Sequence, residues 1–448
     1  MRVIIIGAGR TGGQLVASLC TENHDVTVVD SDPRVLTDLS SQYDILTLAG
    51  SGCDPQILEE AGVEKCQLLV ACTQEDETNI LACACAKRAG VERTVCRISN
   101  VVYTQKKEWF SLEQLGVDVV ISQQEESARE IYNTVMMPGS SEVVPMLDGK
   151  ARIVGMKISK VSPLFGAKLD SFPYPDLLDL IRFVAIMRGG ELVIPHGDTV
   201  FIEDDEVYIL GTPSMTLDFI DWACPRQQEL LKVVIAGGGS VGLPLAEQLE
   251  DAPVQVVVIE KDEKRASYCS SMLDRSLVLQ GDALEEATLK EAGISEGTSF
   301  VAVLGNDESN ILGCILAKQN GASFVVSQIN KAEYSPIVTH LDMIDRVVNP
   351  NVTITNAILH MARWKNIEAY SFLQQVPGQL IEFVINAESK HAGVSVRDLK
   401  LPRRAVIAAV KRDSGVIIAT GSTELLVEDR VVVFAEPEVV KKVQQMFA

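Results

Sequence analysis

Val3-Ile4-Ile5-Ile6-Gly7-Ala8-Gly9-Arg10-Thr11-Gly12 opens the chain with an apolar run that feeds a glycine-spaced turn, and Gln14-Leu15-Val16-Ala17-Ser18-Leu19 follows at helical spacing. That order reads as strand, turn, helix. Gly7 is needed for the tight turn, Gly9 for close approach of the backbone to a pyrophosphate, and Gly12 for close packing of helix on strand. Free N–H groups at the helix start then face the phosphates, with Ala8, Arg10 and Thr11 completing the loop. A second apolar strand, Val26-Thr27-Val28-Val29, ends at Asp30. A carboxylate there holds a ribose 2′-hydroxyl and repels a 2′-phosphate, which favours NAD(H) over NADP(H).

Glycine-rich turns also join strands to helices for packing reasons alone, so one copy carries little weight. Here Val233-Val234-Ile235-Ala236-Gly237-Gly238-Gly239-Ser240-Val241-Gly242 repeats the pattern, and Val256-Val257-Val258-Ile259 leads to Glu260 as the first copy leads to Asp30. The acid stands at the same place after both loops, which a packing-only turn does not require.

The chain has 448 residues, enough for about three domains of ordinary size. Its 40 basic and 61 acidic side chains leave a formal charge of −21, a surface repelled by nucleic acid and by anionic lipid. Apolar runs fall short of the roughly 18 residues that span a bilayer, and Met1-Arg2 leads straight into a strand; the expectation is a cytoplasmic protein. Of ten cysteines, seven fall in the first hundred residues, at Cys20, Cys53, Cys66, Cys72, Cys83, Cys85 and Cys96, without CxxC spacing, and they read as small buried hydrophobes. His24, His196, His340, His360 and His391 share no metal-ligand spacing with them, so no metal site is expected.

Beyond Asp30 the pattern alternates. A helix from Asp32-Pro33 precedes the strand Ile45-Leu46-Thr47-Leu48, and a helix from Pro55 to Gly62 precedes Gln67-Leu68-Leu69-Val70-Ala71-Cys72. The polar turn Thr73-Gln74-Glu75-Asp76-Glu77 opens a helix from Asn79 to Arg88, and strands follow at 94–98 and 117–121. Such alternation gives a parallel sheet covered on both faces, with loops gathered at the carboxyl edge where ligands bind. That edge brings together the glycine loop, Asp30, Ser51, Thr73 and Arg97. Arg97 reads equally as a fork of phosphate donors and as a solvated edge residue. Thr73 and Gln74 read as ligand contacts or as caps.

Around 132–149 the pattern breaks, and Gly190, Gly197 and Gly211 punctuate short β-like runs in a small α+β module. Its Pro195-His196-Gly197-Asp198 finds a counterpart in which Thr420 and Gly421 replace the histidine and glycine, so a turn explains that site better than catalysis. Residues 212–229, with Pro213, Trp222 and Pro225, read as a connector. The second half then replays the first: Gly281, Glu291-Ala292-Gly293, Asp307-Glu308-Ser309-Asn310 and Ile329-Asn330-Lys331 keep one constant offset from Gly50, Glu60-Ala61-Gly62, Asp76-Glu77-Thr78-Asn79 and Ile98-Ser99-Asn100. The expected fold class is α/β: two tandem Rossmann-type doubly wound parallel sheets, each followed by a small α+β C-lobe. The expected domains are 1–130, 145–225, 231–350 and 366–448, with cleavage near Met137 or Cys224 releasing folded pieces.

The doubled order resembles the RCK family, whose members regulate potassium conductance, in the arrangement of the peripheral subunits of bacterial Trk potassium uptake systems. The resemblance covers essentially the whole chain and rests on the two glycine loops, the two acids, Thr73-Gln74-Glu75-Asp76-Glu77-Thr78-Asn79, Arg97 and Asn306-Asp307-Glu308-Ser309-Asn310. It implies a nucleotide held by both glycine loops, by the acids and by the residues after the fourth strand, Thr73 and Leu304. It also implies a homo-oligomer, dimer or tetramer, forming a ring docked on a membrane potassium transporter. Leu304 in place of Thr73 and Gln328 in place of Arg97 leave the second site poorer in polar contacts, with ATP or ADP as alternative ligands there. The competing reading, an NAD-dependent dehydrogenase, needs an acid or base on a substrate domain, and the small modules repeat no His or Lys constellation. A scaffold with vestigial loops is disfavoured by the acid kept in both halves.

Overall fold

The structure is a computed structural model and describes residues 1–21, 24–103, 110–137, 139–172, 175–178, 180–224, 230–331, 333–334, 338, 343–361, 367–373, 376–413 and 415–447. Pro138, Pro225 with most of the connector's end, and His340 lie outside them.

The first sheet contains β1 (Arg2–Ile6), β2 (Asp25–Asp30), β3 (Leu46–Ala49), β4 (Leu68–Ala71), β5 (Arg93–Arg97) and β6 (Val119–Ile121). Its order is β3-β2-β1-β4-β5-β6 and every pairing is parallel. That is the dinucleotide-binding order, with its crevice where the strand order reverses beside β1. Helices α1 (Arg10–Thr21) and α2 (Pro33–Gln42) cover one face, α3 (Pro55–Glu60) and α4 (Asp76–Arg88) the other. Asp32 and Asp54 cap α2 and α3 by accepting from backbone N–H groups two residues on, with Pro at the first helical position of each. Helix α4 starts three residues earlier than the turn chemistry suggests, because buried Asp76 ties its first turn to the Ser99 and Asn100 N–H groups.

The next helix, α5 (Gln123–Met136), does not return to the sheet that precedes it. It leads into the antiparallel sheet of β7 (Ser140–Met146), β8 (Ala151–Lys157), β9 (Ile181–Arg188), β10 (Glu191–Val193) and β11 (Glu206–Gly211), ordered β10-β9-β11-β8-β7, with α6 (Pro175–Leu178) and α7 (Pro213–Ala223). A second parallel sheet follows: β12 (Lys232–Ala236), β13 (Gln255–Glu260), β14 (Leu277–Gln280), β15 (Thr298–Ala302), β16 (Phe324–Gln328) and β17 (Arg346–Val348), in the order β14-β13-β12-β15-β16-β17. Its helices are α8 (Gly242–Leu249), α9 (Glu263–Met272), α10 (Glu286–Glu291) and α11 (Asp307–Gln319), and α12 (Pro350–Met361) leads out of it. The last sheet, β18 (Ile367–Phe372), β19 (Gln379–Val384), β20 (Ala405–Arg412), β21 (Gly415–Ile418) and β22 (Arg430–Ala435), has the order β18-β19-β22-β20-β21, the same topology as the first small sheet, and ends in α13 (Pro437–Phe447). The fold is thus two Rossmann-type sheets alternating with two small antiparallel lobes.

The two halves exchange helices. Ala128, Ile131 and Val135 of α5 lie fully buried among Val233, Ile235, Leu245 and Leu249 of the second parallel sheet and its helix α8. Conversely Ile354, Ile358 and Leu359 of α12 join Val3, Ile5, Leu15 and Leu19 of the first. The helices α5 and α12 also cross each other. The small lobes pack sheet to sheet, with Met146, Tyr208 and Leu210 against Leu380, Val432 and Phe434.

The turn at Gly197 is a tight approach: a Cβ there would lie 1.7 Å from Asp170 Oδ1, and the His196 N–H donates to Thr199 Oγ1. Thr420 donates in the same way to Thr423 Oγ1. His196 is therefore part of a turn repeated without a histidine.

Candidate functional site

Gly7 adopts φ +102°, closed to other residues, and a Cβ on Gly12 would stand 1.9 Å from the Gly7 carbonyl oxygen. Gly9 faces open space, with no atom within 4 Å of where its Cβ would be. Two glycines thus shape the loop and the middle one leaves room above it. Asp30, half-buried at the end of β2, accepts from the Ala8 N–H at 2.6 Å and from the Asp32 N–H at 2.8 Å. Its carboxylate braces the loop while standing at the mouth of the crevice.

A cleft of about 970 Å³ runs along this edge, lined by Gly7, Gly9, Arg10, Thr11, Asp30, Ser51, Thr73, Gln74 and Arg97, all anticipated from the sequence. Cys72 also reaches it, its thiol pushed up to about 12 by burial and held against the Gly7 carbonyl. A hollow of similar volume at the opposite sheet edge, near Asp25 and Asp44, lacks any glycine loop and is remote from this constellation.

Thr73 and Arg97 are more deeply engaged than their positions suggest. The Thr73 hydroxyl donates to Asn79 Oδ1 at 2.7 Å, and buried Asn79 also accepts from the Thr73 N–H and donates to the Arg97 carbonyl. Asn79 thereby stitches the ends of β4 and β5 together. Arg97 Nη2 donates to Gln123 Oε1 at 2.8 Å, whereas its Nε is buried without a hydrogen-bond partner. The half-buried guanidinium is thus not fully spent on the protein.

The second loop copies the first in backbone. Gly237 adopts φ +108°, and a Cβ on Gly242 would meet the Gly237 oxygen at 1.8 Å. Glu260 accepts from the Gly238 and Asp262 N–H groups, both at 2.9 Å. Ser240 is exposed on the loop, and Val241 packs its side chain toward the core beneath. The Leu304 N–H donates to Asn310 Oδ1, so Leu304 keeps the backbone stitch of Thr73 and loses only its hydroxyl. Two features differ. Buried Cys269 lies against Gly238, where a Cβ would meet its Sγ at 2.7 Å, and Arg265 Nη1 lies 3.5 Å from where a Gly239 Cβ would be.

Four residues beside the second glycine loop or lining the first cleft escaped the sequence reading. Arg265 aligns with Arg34, but Arg34 pairs with Asp32 in the first half, so its position gave no warning. Gln123 lies beyond the last strand, and Asn330 and Asn351 come from the other half of the chain, yet all three line the first cleft.

Comparison with known proteins agrees with this architecture. The profile of the TrkA-N domain matches residues 3–123 and 233–350, and that of the TrkA-C domain matches 153–223 and 380–448. The Trk system potassium uptake protein TrkA of Halomonas elongata is 33% identical over 100% of this chain and 98% of its own length. Its namesake in Vibrio alginolyticus is 32% identical over 97% of this chain and 95% of its own. Among solved structures, the GsuK channel bound to NAD superposes over 100% of this chain and 78% of its own, with a TM-score of 0.61 at 19% identity, a likeness of fold. The GsuK RCK domain gives 0.58, covering 100% of this chain and 94% of its own. With two TrkA-N and two TrkA-C domains in alternation and relatives that match it from end to end, the chain belongs to the TrkA family.

Proposed function

We propose that this chain is a nucleotide-sensing regulatory subunit of a potassium uptake system, one that binds NAD(H) in the first cleft and carries out no chemistry on it. The observation that carries the reading is the open space above Gly9 between the Gly7 turn and Asp30, room for a pyrophosphate beside a carboxylate set for a ribose. The groups lining the cleft hold rather than react. Asp30 already accepts two backbone N–H bonds, and the Thr73 hydroxyl is bound to Asn79. At the second loop, Glu260 and the neighbouring Arg265 suit the ribose and phosphates of ADP or ATP as an alternative to NAD(H).

The relatives' shared name, Trk system potassium uptake protein, points to a Trk-type membrane transporter subunit as partner. Among the described residues no helix is long and apolar enough to cross a membrane, so the membrane element is assigned to that partner, with this chain as a cytoplasmic homo-oligomeric ring on its inner face. A ligand shifts such an assembly only by binding its states unequally. Potassium flux through the reconstituted transporter tests this: NADH alters flux only with this subunit present, and Gly9→Trp with Gly239→Trp removes the response. A response that survives both blocked loops, or steady turnover of NADH with a metabolite, overturns the reading.

A further inference from the structure

The end of the first cleft remote from Asp30 is built by both halves of the chain. In the sheet order, β2 with Asp30 lies on one side of β1 and its glycine loop, while β5 with Arg97 and β6 leading to Gln123 lie on the other. A ligand whose pyrophosphate rests on the loop therefore has one nucleoside at Asp30 and directs the rest of its length toward Arg97 and Gln123. The volume of about 970 Å³ stands at the upper end of small-molecule sites, roughly 300–1,000 Å³.

This remote end is walled by amides. Gln123 comes from the start of α5, and Asn351 from the start of α12, which the helix exchange brings across. Asn330 comes from the loop after β16, where its N–H and Nδ2 both donate to Asp307 Oδ1 at 2.9 Å. Arg97 Nη2 donates to Gln123 Oε1 at 2.8 Å, Gln123 Nε2 donates to Asn351 Oδ1 at 3.3 Å, and Asn351 Nδ2 donates to the Asn330 carbonyl at 3.4 Å. The first bond is short and charged. The other two are long, and so are readily exchanged for bonds to a ligand.

We propose that Gln123 and Asn351, backed by Asn330, form a subsite spanning the two halves for the carboxamide-bearing nucleoside of a dinucleotide. An amide wall offers donors and acceptors side by side, which matches a carboxamide, itself one donor group and one acceptor. A phosphate or carboxylate uses only the donors and leaves the acceptors facing like charge. The second glycine loop has no such wall beside it: Ser122 and Asn349 are matching N-terminal caps, so Pro350 stands where Gln123 does, and Gln328 replaces Arg97. The first cleft is thereby the dinucleotide site of the pair.

The inference rests on the nucleotide reading above, and one experiment separates the two. NADH and ADP-ribose, which lacks the nicotinamide, are titrated calorimetrically into the full chain and into its Asn351→Ala and Gln123→Ala variants, with ligand-free thermal unfolding as the check on folding. Loss of one hydrogen bond predicts about 3- to 10-fold weaker NADH binding in each variant with ADP-ribose affinity unchanged. Two variants from different halves guard against one that misfolds. If both ligands bind the native chain and each variant treats them alike, the subsite is wrong while the nucleotide site stands. If the native chain binds neither ligand, both readings fall.

Discussion

Each glycine of the first loop answers a different constraint. Gly12 has 1.9 Å between a would-be Cβ and the Gly7 oxygen, so Gly12→Ala must push helix from strand. The expected cost is about 1–3 kcal/mol of stability, typical of overpacking, read by chemical denaturation. Gly9→Ala meets no atom, and its unfolding free energy should stay within about 0.5 kcal/mol of the native chain, as for a surface change. Asp30→Ala should weaken NADH by about 1–2 kcal/mol and lift discrimination against NADPH; equal binding of both cofactors by the native protein would rule out the ribose role. The glycines and the acid were legible because their chemistry is local. Asn79 was visible only as a member of a repeated motif, since its work, joining the ends of β4 and β5, depends on residues far along the chain.

Among the elements, the exchanged helices carry the least expected energetics. Ile131 belongs to the first half by sequence but is fully buried in the core of the second sheet, so Ile131→Ala should cost about 2–5 kcal/mol and deprotect amides of β12 and α8 in hydrogen exchange before those of β1. The reverse order would mean that α5 serves its own lobe. The β7–β8 turn makes a second junction, where Asp148 takes hydrogen bonds from Lys411 and Arg430 of the last lobe. Arg430 also binds fully buried Glu382, which accepts from the Leu147 N–H. Burial alone raises the Asp148 carboxyl, but the bonds from Arg430 and Lys411 outweigh it and hold it down at about 2. A depressed carboxyl contributes stability that is whole above its unfolded value of about 3.9 and is lost as pH falls toward 2. Asp148→Asn should therefore flatten the acid limb of the stability curve in that window, and leave its slope near neutrality unchanged.

At the scale of the molecule, exchange makes the halves interdependent. Linker composition alone suggests pieces that separate when cut near Met137 or Cys224. The structure instead covers each parallel sheet with a helix from the other half, and packs the two small lobes sheet to sheet. Chains nicked within the central connector should accordingly co-elute as one particle in native size-exclusion chromatography and part only in denaturant. Separation in native buffer would show that the exchanged helices contribute little.

The sequence by itself determined the number and kind of layers, because strand, turn and helix signals lie within a few residues of each other and recur in both halves. It also determined both glycine loops and their acids. Tertiary structure alone decided which sheet each of α5 and α12 covers, since an apolar helix face at 3.6-residue spacing fits either of two nearly identical sheets. By that choice Asn351 reaches a cleft whose glycine loop lies in the other half of the chain, and Asn330 lines the same cleft. A constellation drawn from both halves leaves no local pattern to read, because its spacing is fixed by packing and not by the covalent chain.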